Sequence, residues 1–341
     1  MNKAFIYGAR TLEKYTDRIL VKGLKNNSWE ISEEAENIVY QIHGAPQSEE
    51  DDKLILDNIK RNIVKNDSTK RIILVHRPDE IQLRFPELKD ILQTAQKPIG
   101  LTFLGDMHVN DSFFGAENLI KRVIPHGFFA ISEKLQIEPL VVGSHTTWGE
   151  MRSIEHIFKL LVEVFRKNSS IIGYVGGKPK DQLEEGYLKT EWAKLNPNVQ
   201  ATFFDAHKDN FDLSKKNVIF VDSDNVEPEN FGLSFNVQMY YLNDSVRTGE
   251  SSGSVHSSVG VPVILEMNGS EIIEDVKVIK VPYSSKEDIH SIDFKAGADL
   301  ILKSIEDSSY QEMLKHNLEQ SKKFNSTFVG SEYVKLFQEL G

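Results

Sequence analysis

Cysteine is absent from the 341 residues. Its absence excludes disulfide scaffolds, thiol nucleophiles and cysteine–zinc sites, and agrees with a reducing cytosol. Long apolar runs are lacking as well. Stretches such as Val218-Ile219-Phe220-Val221 and Val261-Pro262-Val263-Ile264-Leu265 fall far short of the roughly 20 residues a membrane-spanning helix needs. Arg10, Glu13 and Lys14 interrupt the first apolar stretch, so no secretory signal is expected. Nor is there an excess of positive charge: 40 Lys and Arg against 51 Asp and Glu leave a formal net charge of −11, which argues against broad affinity for nucleic acid. Internal repeats and low-complexity tracts are also missing. The expected setting is cytoplasmic, with the inner face of a membrane as its limit.

What is present is the composition of a globular protein, 40% hydrophobic and 27% charged. Its length exceeds what one core usually holds, so two domains are expected. Residues 1–140 carry 19 basic and 21 acidic side chains, and the remainder 21 and 30. The nearly neutral first part allows a peripheral contact with an anionic membrane through Lys22, Lys25, Lys60, Arg61, Lys65, Lys70 and Arg71. The plainer reading of those charges is a set of solvated helix faces.

Short β-branched runs recur along the chain: Ala4–Tyr7, Asn37–Ile42, Arg71–His76, Ile99–Leu104, Leu140–Gly143, Ile171–Val175, Ala201–Phe204, Val218–Val221, Val237–Leu242, Val261–Leu265 and Val276–Val281. Amphipathic stretches separate several of them. Residues 51–64 place apolar side chains on one helical face, and 152–165 follow the i, i+3, i+4 rule closely. Strand–helix alternation of this kind implies parallel sheets covered by helices on both faces. Pro125 and Pro139 bracket a poorly periodic stretch that reads as the linker, and the tail from Ser309 reads as two helices broken near Asn325–Ser326. The expected architecture is α/β: two doubly wound Rossmann-like lobes facing an interdomain cleft. Residues 1–130 form the first, residues 131–320 the second, and a final helix over 321–341 packs back on the first.

Two segments suit anion binding. In Arg247-Thr248-Gly249-Glu250-Ser251-Ser252-Gly253-Ser254, small residues lie between a strand and a short helical stretch. Free backbone N–H groups and a helix dipole there favour a phosphate, and Arg247 can neutralise part of a diphosphate. Composition alone equally allows a Ser/Gly-rich surface loop. The second segment runs from Gly143 to Arg152, where Arg152 is placed to reach a phosphate or is simply a solvated helix-start residue.

These pieces, with Val123-Ile124-Pro125-His126-Gly127, Ile172-Gly173-Tyr174-Val175-Gly176-Gly177, Gly260-Val261-Pro262-Val263-Ile264, Gly269-Ser270-Glu271-Ile272 and the closing Glu332-Tyr333-Val334-Lys335-Leu336-Phe337, resemble in order and spacing the GT-B glycosyltransferases. The closest resemblance is to the retaining family 4, and it covers most of 99–341. It implies transfer of a sugar from a nucleotide-diphosphate donor to an acceptor hydroxyl, without a metal or other cofactor. Glu250 would be the first acid of the family's Glu-x7-Glu motif. The backbone of Ser251, Ser252, Gly253 and Ser254 would hold the diphosphate, with Arg152 or Arg247, and Glu271 would lie near the ribose or donor. The chain also departs from the pattern. Ser258 stands at the second acid, Ser144 at the usual arginine, and Gly149 or Glu150 at the usual lysine.

In the first lobe the family commonly brings a histidine near the reacting carbon. Asp106 and His108 are the first candidates for catalysis, with His76 and Arg77 as acceptor-binding residues; His43 is a further strand-end histidine. The acceptor would be a glycan, a lipid-linked saccharide or a protein, in bacterial glycan synthesis or protein glycosylation. Partners expected are the nucleotide sugar and either a second copy or a partner transferase. Asp222-Ser223-Asp224 allows a divalent-metal site, although a turn or cap explains its acids too. Gly249–Gly253 satisfies Gly-x-Ser-x-Gly, but Asn243–Arg247 separate it from the strand a nucleophile elbow requires. No Gly-x-Gly-x-x-Gly follows the first strand, which argues against a dinucleotide dehydrogenase. The rival readings are a catalytically inactive subunit that supports a partner transferase, and another enzyme with two nucleotide-binding lobes such as a sugar-nucleotide epimerase.

Overall fold

The computed structural model describes residues 2–7, 15–42, 49–64, 69–75, 78–103, 109–124, 140–145, 154–177, 182–195, 201–205, 218–222, 233–240, 260–266, 276–285, 291–322 and 325–341. The chain divides into two compact units, Met1–Phe129 with Lys323–Gly341, and Ala130–Lys322. Each has its own parallel sheet. Among the described residues no helix is long and apolar enough to cross a membrane.

The first unit runs β1 (Lys3–Tyr7), α1 (Tyr15–Asn26), β2 (Glu30–Ile31), β3 (Asn37–Ile42), α2 (Glu49–Val64), β4 (Lys70–Val75), α3 (Pro78–Arg84), α4 (Leu88–Gln93), β5 (Ile99–Phe103), a 3₁₀ turn at Ser112–Phe114, and β6 (Leu119–Val123). Its sheet has the order β2-β1-β3-β4-β5-β6, every pair parallel. Alternation along the strands divides the core in two. Ala4, Ile6, Val39 and Ile72 pack with Leu20 and Leu24 of α1. Tyr40, Ile42, Ile73 and Val75 pack with Ile55, Ile59 and Ile63, the i, i+4 stripe of α2. Pro78 opens α3, where a missing N–H costs nothing. The Asp111 side chain accepts from the Phe113 N–H at 2.8 Å and starts the 3₁₀ turn.

Two strands lie outside the eleven that the sequence pattern suggests. β2 has only two residues. β6 reads Leu-Ile-Lys-Arg-Val at the sheet edge, where its residues are half-buried or exposed. A strand with one free edge does not need an apolar run, so Lys121 and Arg122 hide it from pattern reading.

The last helix, α9 (Ser326–Glu339), belongs to this unit and crosses α1 at two glycines. A Cβ on Gly330 would meet the Gly23 carbonyl carbon at 2.1 Å, and one on Gly23 would meet the Ser326 oxygen at 2.2 Å. Glycine is used here for close backbone approach. The Asn325 side chain caps α9 by accepting from the Phe328 N–H at 2.8 Å. Asn26 and Asn27 donate to the Thr327 hydroxyl and carbonyl oxygens, both at 2.9 Å. Trp29 stacks on Phe337 with ring centroids 5.1 Å apart. Val329, Tyr333, Leu336 and Phe337 are buried in this contact, each apolar side chain contributing roughly 1.5–3 kcal/mol of transfer free energy.

The second unit runs β7 (Val141–His145), α5 (Ile154–Lys167), β8 (Ile172–Gly177), α6 (Gln182–Leu195), β9 (Ala201–Asp205), β10 (Val218–Asp222), β11 (Phe235–Tyr240), β12 (Val261–Glu266), β13 (Ile279–Lys280), α7 (Phe294–Glu306) and α8 (Ser309–Ser321). The sheet order is β13-β12-β11-β7-β8-β10-β9, again all parallel. Val142, Val175, Phe235, Val237, Val261, Val263 and Leu265 share one face and pack with Ile157, Phe158 and Leu161 of α5, Ile301 of α7 and Leu314 of α8. Asn317 of α8, fully buried, accepts from the Lys277 N–H and donates to the Lys277 carbonyl, both at 2.8 Å, which ties the approach to β13 onto the helix.

Candidate functional site

In open parallel sheets, ligands bind beyond the carboxyl ends of the strands, at the point where the chain reverses its direction across the sheet. In the first unit the chain passes from β1 out to β2 and returns to β3 on the other side, so the reversal lies between β1 and β3. In the second it builds β8, β9 and β10 on one side of β7, then crosses to β11 on the other. That reversal lies between β7 and β11, which pair through Val142 with Phe235 and Gly143 with Asn236.

At each reversal stands a buried polar side chain with no hydrogen-bond partner among the described residues. Gln41 is the last residue but one of β3, is 1% exposed, and neither its Oε1 nor its Nε2 has a hydrogen-bond partner. Ser144 holds the same place on β7, is 1% exposed, and its Oγ is likewise unpartnered. Ser144 shares the face of Val142, the side covered by α5. Buried polar groups are normally hydrogen-bonded, and one left unmade costs about 1–3 kcal/mol. Sequence reasoning named Ser144 only as the residue standing where family 4 carries an arginine, and gave Gln41 no role. The available signal was a polar residue next to the end of an otherwise apolar strand, as in Asn-Ile-Val-Tyr-Gln-Ile.

The residues assigned from sequence, Asp106, His108, His76, Arg77, Arg152, Arg247, Glu250, Ser251, Ser252, Gly253, Ser254 and Glu271, all lie outside the described residues, as do His43, Gly149, Glu150 and Ser258. The strands they follow are described. The segment with Arg152 follows β7, that with Arg247–Ser254 follows β11, and that with Glu271 follows β12, three successive strands of one sheet. His76 and Arg77 follow β4, and Asp106 and His108 come soon after β5, one and two strands from β3 on the side away from β1.

Lys65, one of the basic residues named for a peripheral membrane contact, lies outside the described residues, and the others are spread over several elements. Lys22 and Lys25 belong to α1 and Lys60 and Arg61 to α2, helices that cover opposite faces of the sheet, and Arg71 is 2% exposed within β4. Among the described residues, two tyrosines have raised pKa values. The Glu155 carboxylate repels the phenolate of exposed Tyr187 and raises its pKa. Burial raises that of Tyr333, against a weaker opposing effect of its contact with Thr102.

No protein-family model and no curated protein matches the chain. Solved structures do. A glycosyltransferase from Rickettsia africae is 10% identical, with a TM-score of 0.58 over 99% of this chain and 98% of its own. A UDP-forming α,α-trehalose-phosphate synthase from Burkholderia xenovorans is 10% identical, with a TM-score of 0.56 over 95% and 78%. The glycosylation-associated protein complex from Streptococcus agalactiae is 13% identical, with a TM-score of 0.52 over 89% and 54%. At these identities the shared property is the fold, the α/β GT-B arrangement of two Rossmann-like lobes.

Proposed function

We propose that this chain is a glycosyltransferase that moves a sugar from a nucleotide-diphosphate donor to an acceptor hydroxyl. The observation that carries this reading is the second unit's reversal point, from which the segments bearing Arg152 and Arg247–Ser254 both depart on adjacent strands. Segments of that composition, following two adjacent strands, suit a diphosphate. Backbone N–H groups of Ser251–Ser254 and one or both arginines would stabilise the negative charge that builds on the leaving diphosphate, where preorganised donors contribute most. Glu250 would orient the sugar, Glu271 would accept from the ribose or donor, and Asp106 with His108 would approach the reacting carbon. His76 and Arg77 would hold the acceptor. Transfer with retention and without a metal, as in family 4, is part of the same proposal and rests on the sequence resemblance.

The test is a thermal-shift series with UDP, GDP, ADP and their sugars, with and without magnesium, on the wild type, Glu250→Ala and Arg247→Ala. A ligand at a hundredfold excess over its Kd stabilises the folded state by about 2.7 kcal/mol. The expected result is a rise of several degrees with one nucleotide, independent of magnesium and reduced by Arg247→Ala. No rise with any nucleotide would remove the reading.

A second reading, a subunit that supports a partner transferase without catalysing transfer, is favoured by two observations. One is the likeness to the Streptococcus agalactiae complex. The other is the presence of Ser144 and Ser258 where family 4 carries an arginine and an acid. Nucleotide binding without hydrolysis or transfer, together with co-purification of a transferase, would select it.

A further inference from the structure

We infer that the seat of α9 on the first unit accepts this helix from a second copy of the chain as well as from its own, so that two copies can exchange their last helices. The inference is independent of the glycosyltransferase reading.

It starts from a mismatch between where α9 is attached and where it is bound. Its chain arrives from α8, in the unit that ends at Lys322, yet α9 is part of the compact unit formed with residues 1–129. What holds it lies there. Asn26 and Asn27 of α1 donate to Thr327, and Trp29 stacks on Phe337. Tyr333 contacts Thr102 of β5 at 3.4 Å, and Glu339 pairs with Arg122 of β6. A Cβ on Gly100 of β5 would meet the Leu336 Cδ2 at 2.9 Å. Leu336 and Phe337 join Leu24, Val39, Ile72 and Ile124 in one apolar cluster. Every copy presents these same partners, so a helix exchanged for its twin keeps each contact. That is the condition under which swapping costs little.

Two features make α9 portable, and a third makes its seat selective. The Asn325 side chain caps the helix, accepting from the Phe328 N–H at 2.8 Å, so the start of α9 carries its own partner. The Glu332–Lys335 pair is likewise internal to it. Selectivity comes from the glycine crossing. A Cβ on Gly330 would stand 2.1 Å from the Gly23 carbonyl carbon, and one on Gly23 would stand 2.2 Å from the Ser326 oxygen. Backbone atoms hold off any helix that brings a side chain to this point, so the seat fits a helix with glycine there. Ser326–Glu339 is such a helix, and a second copy supplies another.

A tethered helix competes with a free one at an effective concentration on the order of millimolar. Exchange is therefore expected where a chain's own α9 cannot dock, and two full-length variants create that condition. Gly23→Leu blocks the seat and leaves α9 intact, whereas Gly330→Leu spoils α9 and leaves the seat intact. Trp29 reports docking through its stack on Phe337. With 5-fluorotryptophan in place of Trp29, Trp148 and Trp192, its fluorine resonance is assigned from Trp29→Phe. Each variant alone should lose the wild-type Trp29 resonance. Mixed in equal amounts, the two should form a 1:1 heterodimer by light scattering and regain that resonance in up to half of the chains, since one seat of the two is intact. Replacing the second partner by the double variant Gly23→Leu/Gly330→Leu should abolish both signs. A mixture that stays monomeric, or that dimerises without recovering the Trp29 resonance, would overturn the inference.

A second measurement holds even where either variant fails to fold. A protease site is inserted between Lys322 and Asn325 of the otherwise wild-type chain, which is cut after folding and equilibrated with excess peptide 325–341 fluorinated at Phe337. We expect the peptide to take the place of the cut helix, with a docked fluorine signal, and its Gly330→Leu form to bind at least tenfold more weakly. Failure of the peptide to enter, or equal binding of both peptides, would overturn the inference as well.

Discussion

Replacing Gly330 with alanine sets two known effects against each other, and the structure decides their order. Alanine in the middle of a helix is favoured over glycine by about 1 kcal/mol. At Gly330 the new methyl would lie 2.1 Å from the Gly23 carbonyl carbon and 2.7 Å from its Cα. Both are backbone atoms that no rotamer change can remove, so α1 and α9 must separate by more than an ångström. Overpacking of this kind costs typically 1–3 kcal/mol, and its upper end applies where neither partner can yield. Separation would also loosen the Trp29–Phe337 stack and the bonds of Asn26 and Asn27 to Thr327. The net expectation is a loss of about 2 kcal/mol, or roughly 4–8 °C in the melting temperature of a unit of this size. Gly186 supplies the control. It is exposed within α6 and a Cβ there would meet nothing within 4 Å, so Gly186→Ala should stabilise by about 0.5–1 kcal/mol. Urea unfolding followed by circular dichroism measures both. Gly330→Ala at or above wild-type stability would refute the close crossing, since helix propensity alone would then account for both variants.

Two further outcomes follow from particular contacts. Asn317→Ala removes both bonds to the Lys277 backbone and should cost about 2 kcal/mol through the unpaired groups it leaves; urea unfolding of the variant checks this, and a loss below about 0.5 kcal/mol would place little weight on that clamp. Tyr333 has its folded pKa raised above the ordinary 10.0 by burial, so above pH 10 the unfolded chain gives up this proton and the folded one keeps it. Its contribution is fully present below pH 10 and is lost as the pH climbs toward the folded value, at about 1.4 kcal/mol per pH unit. Tyr333→Phe should flatten that part of the stability profile between pH 10 and 11.5, and an unchanged slope would count against the burial of its hydroxyl.

Much of the fold was legible because strands and amphipathic helices are written in local periodicity. Asn37–Ile42 is a strand with the limits its β-branched run suggests, and Ile55, Ile59 and Ile63 announce the buried face of α2. The break near Asn325 is a helix cap with a side chain to match. Edges were less legible. The strand expected over Val237–Leu242 spans Phe235–Tyr240, because its partners Val261 and Val142 set its start. β6 escaped because Lys121 and Arg122 lie in it, a pattern that only an edge position permits.

The sequence by itself determined the class of the protein: parallel α/β units without cysteine or long apolar runs, acidic overall. Those properties depend on residue type and spacing, which the chain carries wherever it folds. The tertiary structure alone decided which strands are neighbours, and therefore that β7 and β11, which the segments of Arg152 and Arg247–Ser254 follow in the chain, lie side by side. It alone set Gln41, Thr102 and Arg122 in one row across the first sheet. Whether a polar side chain is satisfied depends on atoms far away in sequence: Tyr333 and Glu339, more than two hundred residues on, answer two members of that row, while Gln41 has no hydrogen-bond partner among the described residues.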